Sequence, residues 1–374
     1  MDAGIVTADE VQFPNWRLAA DGPAPTVPTP TRPEERIGFA VMGLGRLALG
    51  QILPALVKSK RARLVGLISG HPEKCALVGH QYGVELQLNY DQVGALSDRP
   101  DVGAVFIATP NGLHLQHVQD VVRAGKAILL EKPMAANSMQ AIQIERICRE
   151  AGVPLMIGYR SQFEPHLGAI RDGIRTGTWG RLKAMTSVNV QTAAPGDHWR
   201  YDKARAGGGS LPDIGIYCIS VAQYLSGERP TSVGAVIHQP QNDPRFDEVE
   251  ESCALTLEFP SGFVLQSFSS YGAREEKFFK LMFEKATITV TNAYAYGGVA
   301  MTISRSDGQG ISDEALELGA IDQFEAEIDH FAQCLQTGTR PRTGPDQGIR
   351  DHKIMEAAYR AAAERRILAI DLDA

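Results

Sequence analysis

The chain has 374 residues, 44% of them hydrophobic and 22% charged, with a formal net charge of −7. That length allows two domains with a buried core. The acidity excludes a nucleic-acid binder built on clustered Lys and Arg, and no apolar run approaches the roughly 20 residues that span a bilayer. Five scattered cysteines (Cys75, Cys148, Cys218, Cys253, Cys334) exclude a dense disulfide framework and zinc-type spacing.

Residues 1–35 hold six prolines and little apolar periodicity, so regular structure is not expected there. Two readings stand: a solvated tail, or an extended arm docked on another surface, which Phe13 and Trp16 favour. "MDAGIVTADE" lacks the basic and apolar regions of a signal peptide. The expected location is cytoplasmic as given, or periplasmic if an export leader has been removed.

From 36 to 158, short apolar runs ("IGFAVMG", "ARLVGLISG", "VGAVFIATP", "AILLEKP", "PLMIGYR") alternate with amphipathic segments such as "LGQILPALVKSK". Strands alternating with helices predict βαβ units and a parallel sheet. The turn Gly43-Leu44-Gly45-Arg46-Leu47-Ala48 follows the first strand and opens a helix, the context a dinucleotide-binding turn requires. Gly43 permits the tight turn, Gly45 lets backbone approach a pyrophosphate, and Ala48 allows close helix–strand packing.

The second strand names the dinucleotide. An NAD enzyme carries Asp or Glu at its end to bind the ribose 2′-hydroxyl. Here the strand ends at Ser69-Gly70, and with Lys74 and Arg46 nearby the reading favours NADP. "LLEKPMA" then sets Glu131-Lys132-Pro133 at the carboxyl end of a buried strand, where open α/β sheets bind ligands.

Beyond 180 the texture changes to longer alternating strands with tight turns, as in "SCALTLEFPSGFVLQSFSSYG", the pattern of a largely antiparallel sheet. The expected fold class is α/β: a Rossmann domain over 36–158, then an α+β domain over 159–374 with a large open mixed sheet. Two helices, near 322–336 and 346–365, close the chain, and the last is expected to pack back on the Rossmann domain. In "AGGGSLPDIGIYCIS" Pro212 suits a first helical turn, with Asp213 and Tyr217 four apart on one face. Lys132, Asp213 and Tyr217 make a proton-transfer set: a tyrosine acidified by lysine, with a carboxylate to orient a substrate hydroxyl. Taken alone, Asp213 and Tyr217 read more often as a capping acid and a core aromatic. A metal hydrolase finds no support: His114 and His117 are three apart without an acid at ligand spacing. His114 reads as a cofactor neighbour and His117 as an ordinary helix residue.

"EKPMA", "GYRSQFEP" and "AGGGSLPDIGIY", spaced after "GLGRLALGQILP", resemble the glucose–fructose and aldose–aldose oxidoreductase group of the Gfo/Idh/MocA sugar dehydrogenases, over residues 12 to 370. Most of the wider family carries His where this sequence has Tyr217. The resemblance implies tightly bound NADP(H), oxidation of an aldose to its lactone, and reduction of a second sugar to a polyol. It implies Tyr217 as acid–base group, Lys132 as its activator and Asp213 at the sugar hydroxyls. Arg160, Trp199 and Arg200 fall near nicotinamide or substrate, Thr109-Pro110-Asn111 and His114 on the cofactor's ribose and pyrophosphate, and Tyr90, Glu131 and Tyr296 among further cofactor contacts. A homo-oligomer, dimer or tetramer, is expected. A simple NADP-dependent aldose dehydrogenase with exchangeable cofactor and a non-catalytic NADP-binding regulator remain as alternatives.

Overall fold

The apolar runs of the first half become strands, numbered β1 (Ile37–Met42), β2 (Ala62–Ile68), β3 (Leu86–Leu88), β4 (Ala104–Ile107), β5 (Ala127–Glu131) and β6 (Leu155–Gly158). In the computed structural model they pair in parallel in the order β3-β2-β1-β4-β5-β6. The model describes residues 5–6, 11–12, 32, 35–194, 196, 198–306 and 310–372. Ile5–Val6 and Val11–Gln12 form a short antiparallel ladder. Most of the expected arm, Phe13 and Trp16 included, lies outside the described residues.

Both faces of this sheet are covered, which is why its strands lack polar alternation. Phe39 and Val41 of β1 face one buried cluster, Ala40 and Met42 the other. The intervening helices are α1 (Leu53–Lys58), α2 (Pro72–Tyr82), α3 (His114–Arg123) and α4 (Ser138–Glu150). Helix α1 is entered through a π-helical turn at Ala48–Ile52, in which the Leu53 N–H reaches back to Ala48 O. Pro54 accounts for it, since proline removes an intrahelical bond and crowds the preceding turn.

The second half supplies β7 (Leu182–Val190), β8 (Ser232–His238), β9 (Ser252–Glu258), β10 (Val264–Ser270), β11 (Glu276–Phe283), β12 (Ala286–Thr291), β13 (Ala300–Ser306), β14 (Ile311–Leu316) and β15 (Leu368–Ala369). They form one sheet in the order β14-β13-β12-β11-β7-β10-β9-β8-β15. Its pairings are antiparallel except β7 with β10, so the sheet is mixed. Helices α5 (Pro165–Arg175), α6 (Lys203–Ala206), α7 (Ile216–Ser226), α8 (Gln323–Thr337) and α9 (Pro345–Glu364) complete the chain.

Two of these helices return to the parallel sheet. Phe331 of α8 meets Phe39 edge-on at 6.4 Å between centroids. On α9, His352 Nε2 accepts the Ala135 N–H at 3.1 Å, and Glu356 accepts the Ser138 N–H at 2.7 Å. The loop after β5 is therefore gripped from the far end of the sequence.

Candidate active site

The site lies at the carboxyl ends of the parallel strands, where β1 and β4 part and the strand order reverses. Gly43 adopts φ +97°, and a Cβ there would stand 2.8 Å from Ala108 O. Its lack of a side chain is required by the chain itself. Gly45 differs, since a Cβ there would meet no described atom within 4 Å. Bare backbone with open space before it, in the turn that opens a helix, fits a pyrophosphate. Arg46 is exposed on this turn and Leu44 is buried beneath it, with Leu47 partly buried. Lys74 Nζ donates to Leu44 O at 3.4 Å, which holds a cation against the turn. At the end of β2 the Ser69 hydroxyl accepts the His71 N–H at 3.2 Å. No carboxylate stands at that strand end in the sequence, so that position holds no charge to repel a 2′-phosphate. Tyr90 lies against exposed Gly70, whose Cβ would meet the ring at 3.0 Å.

The loop from Thr109 to His114 is held by its own side chains. Thr109 Oγ1 bonds His117 Nδ1 at 2.9 Å, and the His117 ring packs tilted against Tyr90, 4.8 Å between centroids. His117 is thus a helix residue, as expected, but a buried one that braces Thr109 from α3. His114 is fully buried, its two ring nitrogens facing Thr109 O at 2.9 Å and Met134 O at 3.2 Å. Burial lowers its pKa to about 4. It ties the loop after β4 to the loop after β5, and keeps no ring nitrogen for a cofactor. Half-buried Pro110 enters the turn, and Asn111 Nδ2 donates to Ala206 O at 2.7 Å, joining this loop to α6.

Lys132 follows β5 through a cis bond to Pro133. Its Nζ donates to Asp213 O at 2.6 Å and stands 3.7 Å from Asp213 Oδ1. Asp213 sits in a π-helical turn, Leu211–Gly215, that leads into α7. Its Oδ2 accepts Tyr271 OH at 2.6 Å, Arg200 Nε at 2.9 Å and Gln191 Nε2 at 3.4 Å. Burial works against the charged carboxyl, but Arg200, Lys132 and the Tyr271 hydroxyl outweigh it and bring it down to about 2. Arg200 stacks on Trp199, Cζ to ring 4.5 Å.

Tyr217 lies between two cations. Lys132 Nζ is 4.7 Å and Arg160 Cζ 5.0 Å from its ring centroid. The expectation of a lysine-acidified tyrosine needs correction. Burial pushes the Tyr217 phenol up to about 12, with Arg160 pulling against it. The lysine faces the ring and spends its bonds on Asp213. Arg160 is also enclosed: Nη2 donates to Tyr294 O at 2.7 Å, and Nη1 to Ala295 O at 3.2 Å and to Gln323 Oε1. It is a fixed cation behind Tyr217 and half-exposed Tyr296, whose ring is 4.6 Å away, rather than an arm free to reach a ligand.

Sequence reasoning missed a second carboxyl near Glu131. Glu327 of α8 is fully buried, and neither of its oxygens has a hydrogen-bond partner among the described residues. Burial, with Glu131 adding to it, raises its pKa far above the usual range, and burial raises Glu131 to about 7 against the pull of Lys132 and Arg160. A signal existed: Glu327 falls on the same helical stripe as Phe324, Ile328 and Phe331. Tyr271 was missed as well, and its only cue was its place just beyond β10. Among the described residues no group of three or more His, Cys, Asp or Glu could hold a metal.

Comparison with known proteins agrees with this architecture. Residues 37–159 match the model described as "Oxidoreductase family, NAD-binding Rossmann fold", and residues 168–291 match the "GFO/IDH/MocA C-terminal domain". The chain is 30% identical to D-xylose 1-dehydrogenase [NADP(+)] of Haloarcula marismortui, over 91% of this chain and 95% of that protein. It is 25% identical to inositol 2-dehydrogenase of Rhizobium meliloti, over 89% and 99%. Among solved structures it resembles aldose–aldose oxidoreductase from Caulobacter crescentus, complexed with glycerol, with 36% identity and a TM-score of 0.86 over 90% of this chain and 100% of that one. A 3-ketoreductase from Actinomadura kijaniata, solved with TDP-benzene and NADP, gives 25% identity and a TM-score of 0.77 over 87% and 98%. With both halves matched, the chain belongs to the Gfo/Idh/MocA family of oxidoreductases.

Proposed function

We propose that this protein is an NADP-dependent sugar oxidoreductase that oxidises an aldose at C1 to its lactone and reduces a second sugar to a polyol with the same bound cofactor. The observation that carries this reading is the gathering of Lys132, Asp213 and Tyr217 within one ion-paired cluster above the Rossmann sheet. The similarity to aldose–aldose oxidoreductase supports the pairing of two sugars. The residues suited to hold the cofactor are Gly43 to Leu47, Ser69, Gly70, Lys74, Tyr90 and the Thr109–Asn111 loop, and bound nicotinamide supplies the hydride acceptor and donor.

The chain's own groups handle orientation and the proton. Asp213, held as a carboxylate by Arg200 and Lys132, accepts hydrogen bonds from sugar hydroxyls while Arg200 and Tyr271 keep it in place. Tyr217, holding its proton, donates it to the alkoxide that forms when a carbonyl is reduced. In the oxidative half the same oxygen, left as tyrosinate, takes the proton of the C1 hydroxyl, with Arg160 beside it easing the charge. One hydride and one proton leave the aldose and one of each reach the second sugar, so the cycle balances without outside reductant.

The test is turnover of paired sugars, glucose with fructose or with a second aldose, by protein purified without added nucleotide. Lactone and polyol in equal amounts support the proposal. Product only after NADP is added would assign a simple dehydrogenase, and no product under either condition a binding protein. The reading includes a homo-oligomer formed through the open sheet face, where Val236, Ala254, Phe268, Val188 and Phe278 run as one cross-strand row. A monomeric mass by light scattering would sink that part.

A further inference from the structure

The glycines before Asp213 are packed against a residue that takes no part in the chemistry above. Glu250 is 3% exposed, and its carboxylate accepts the N–H of Gly209 at 2.9 Å through Oε2 and that of Leu211 at 2.8 Å through Oε1. Oε2 also accepts Tyr359 OH at 2.9 Å, from α9. The backbone of Glu250 joins in, since its carbonyl accepts the Ser210 N–H at 3.3 Å. The fit leaves no slack. A Cβ at Gly209 would lie 1.9 Å from Glu250 O, and one at Gly208 would lie 2.0 Å from Tyr359 OH. Three consecutive backbone amides of the loop thus end on one buried acid. Two residues further on, Asp213 presents its carbonyl and carboxylate to Lys132. The upstream end of the loop is held separately, by Asn111 on Ala206 O.

We infer that Glu250 is a positioning residue: by fixing the amides of Gly209 and Leu211 it sets the place of Asp213 against Lys132, and so the orientation of the sugar. The inference rests on the proposed sugar chemistry. A carboxylate suits the task because it has two acceptor oxygens and no donor, and charge-assisted bonds to backbone N–H groups are strong. Glutamine keeps the shape but turns an NH2 group toward one of those N–H groups, which frees half of the loop.

The test compares Glu250→Gln, Tyr359→Phe and Asp213→Asn in the full-length protein, with sugar kcat and KM, NADPH affinity by fluorescence titration, and melting temperature. Glu250→Gln is expected to lower sugar kcat/KM by about 10- to 100-fold, the scale of a misplaced catalytic group, while NADPH affinity stays within about twofold. If that variant does not fold, Tyr359→Phe, which keeps both backbone bonds, is expected to lose about two- to fivefold on the sugar alone. Sugar kinetics unchanged in a folded variant, or a loss shared equally by cofactor affinity, would overturn the positioning role. Full turnover in Asp213→Asn would overturn this inference and the site reading together. Loss there with full activity in Glu250→Gln would overturn the inference alone.

Discussion

Lys132 and Asp213 meet twice: the ammonium donates to the aspartate's carbonyl at 2.6 Å and stands 3.7 Å from its carboxylate. The bond fixes the backbone of the π-helical turn and the ion pair compensates a buried charge. The lysine side chain is 9% exposed, so burial lowers its pKa while Asp213 and Glu131 work against that. Lys132 is therefore expected to hold the site together electrostatically and to fix Asp213.

Tyr217→Phe and Lys132→Ala are each expected to lower turnover by about 10²-fold or more, the usual scale of acid–base contributions. The phenylalanine ring keeps the surface on which Lys132 and Arg160 rest, so NADP binding in that variant should stay near wild type. Near-normal turnover in Tyr217→Phe would move the proton elsewhere. Asp213, held down to about 2, would be a weak base for it.

Ser69→Asp should shift the cofactor preference. The new carboxylate at the end of β2 repels a 2′-phosphate and accepts a 2′-hydroxyl. The ratio of KM for NADP to KM for NAD is expected to rise by at least about tenfold, since one lost charge-assisted contact is worth ~1.5–3 kcal/mol. An unchanged ratio would remove Ser69 from the cofactor site.

Two glycines of one turn should respond differently to alanine. Gly43→Ala forces a side chain into φ +97° and against Ala108 O. It should cost about 1–3 kcal/mol of stability, read as a lower melting temperature without nucleotide. At Gly45 a Cβ meets no described atom. That variant should melt like wild type and bind NADP at least about tenfold more weakly, by the same scale of lost hydrogen bonds.

The buried acids give stability a pH dependence. Glu131 has its usual value of 4.5 when unfolded and about 7 when folded. The stability it lends is fully present below about 4.5 and is lost as pH rises through about 7. Glu327, raised further by burial and by Glu131, extends the loss upward. Glu327→Gln removes the titrating group. Its melting temperature relative to wild type should rise between about pH 5 and pH 8.5. A constant offset at both pH values would show that Glu327 ionises freely.

Much of this protein is determined locally and can be read without coordinates. Buried parallel strands are continuous apolar runs, a strand–turn–helix with Gly43 and Gly45 needs no distant partner to form, and the change to alternation after residue 180 marks the second sheet. Residue types also nominated Lys132, Asp213 and Tyr217. What the pattern could not carry was their state and their supports. Lys132 and Asp213 lie 81 residues apart, and which atoms meet depends on how α7, β10 and the loop after β5 pack. Burial decided that Tyr217 keeps its proton, that His114 is a brace and that Glu131 shares its surroundings with Glu327, because the charge a group carries follows its dielectric and neighbours, not its place in the sequence.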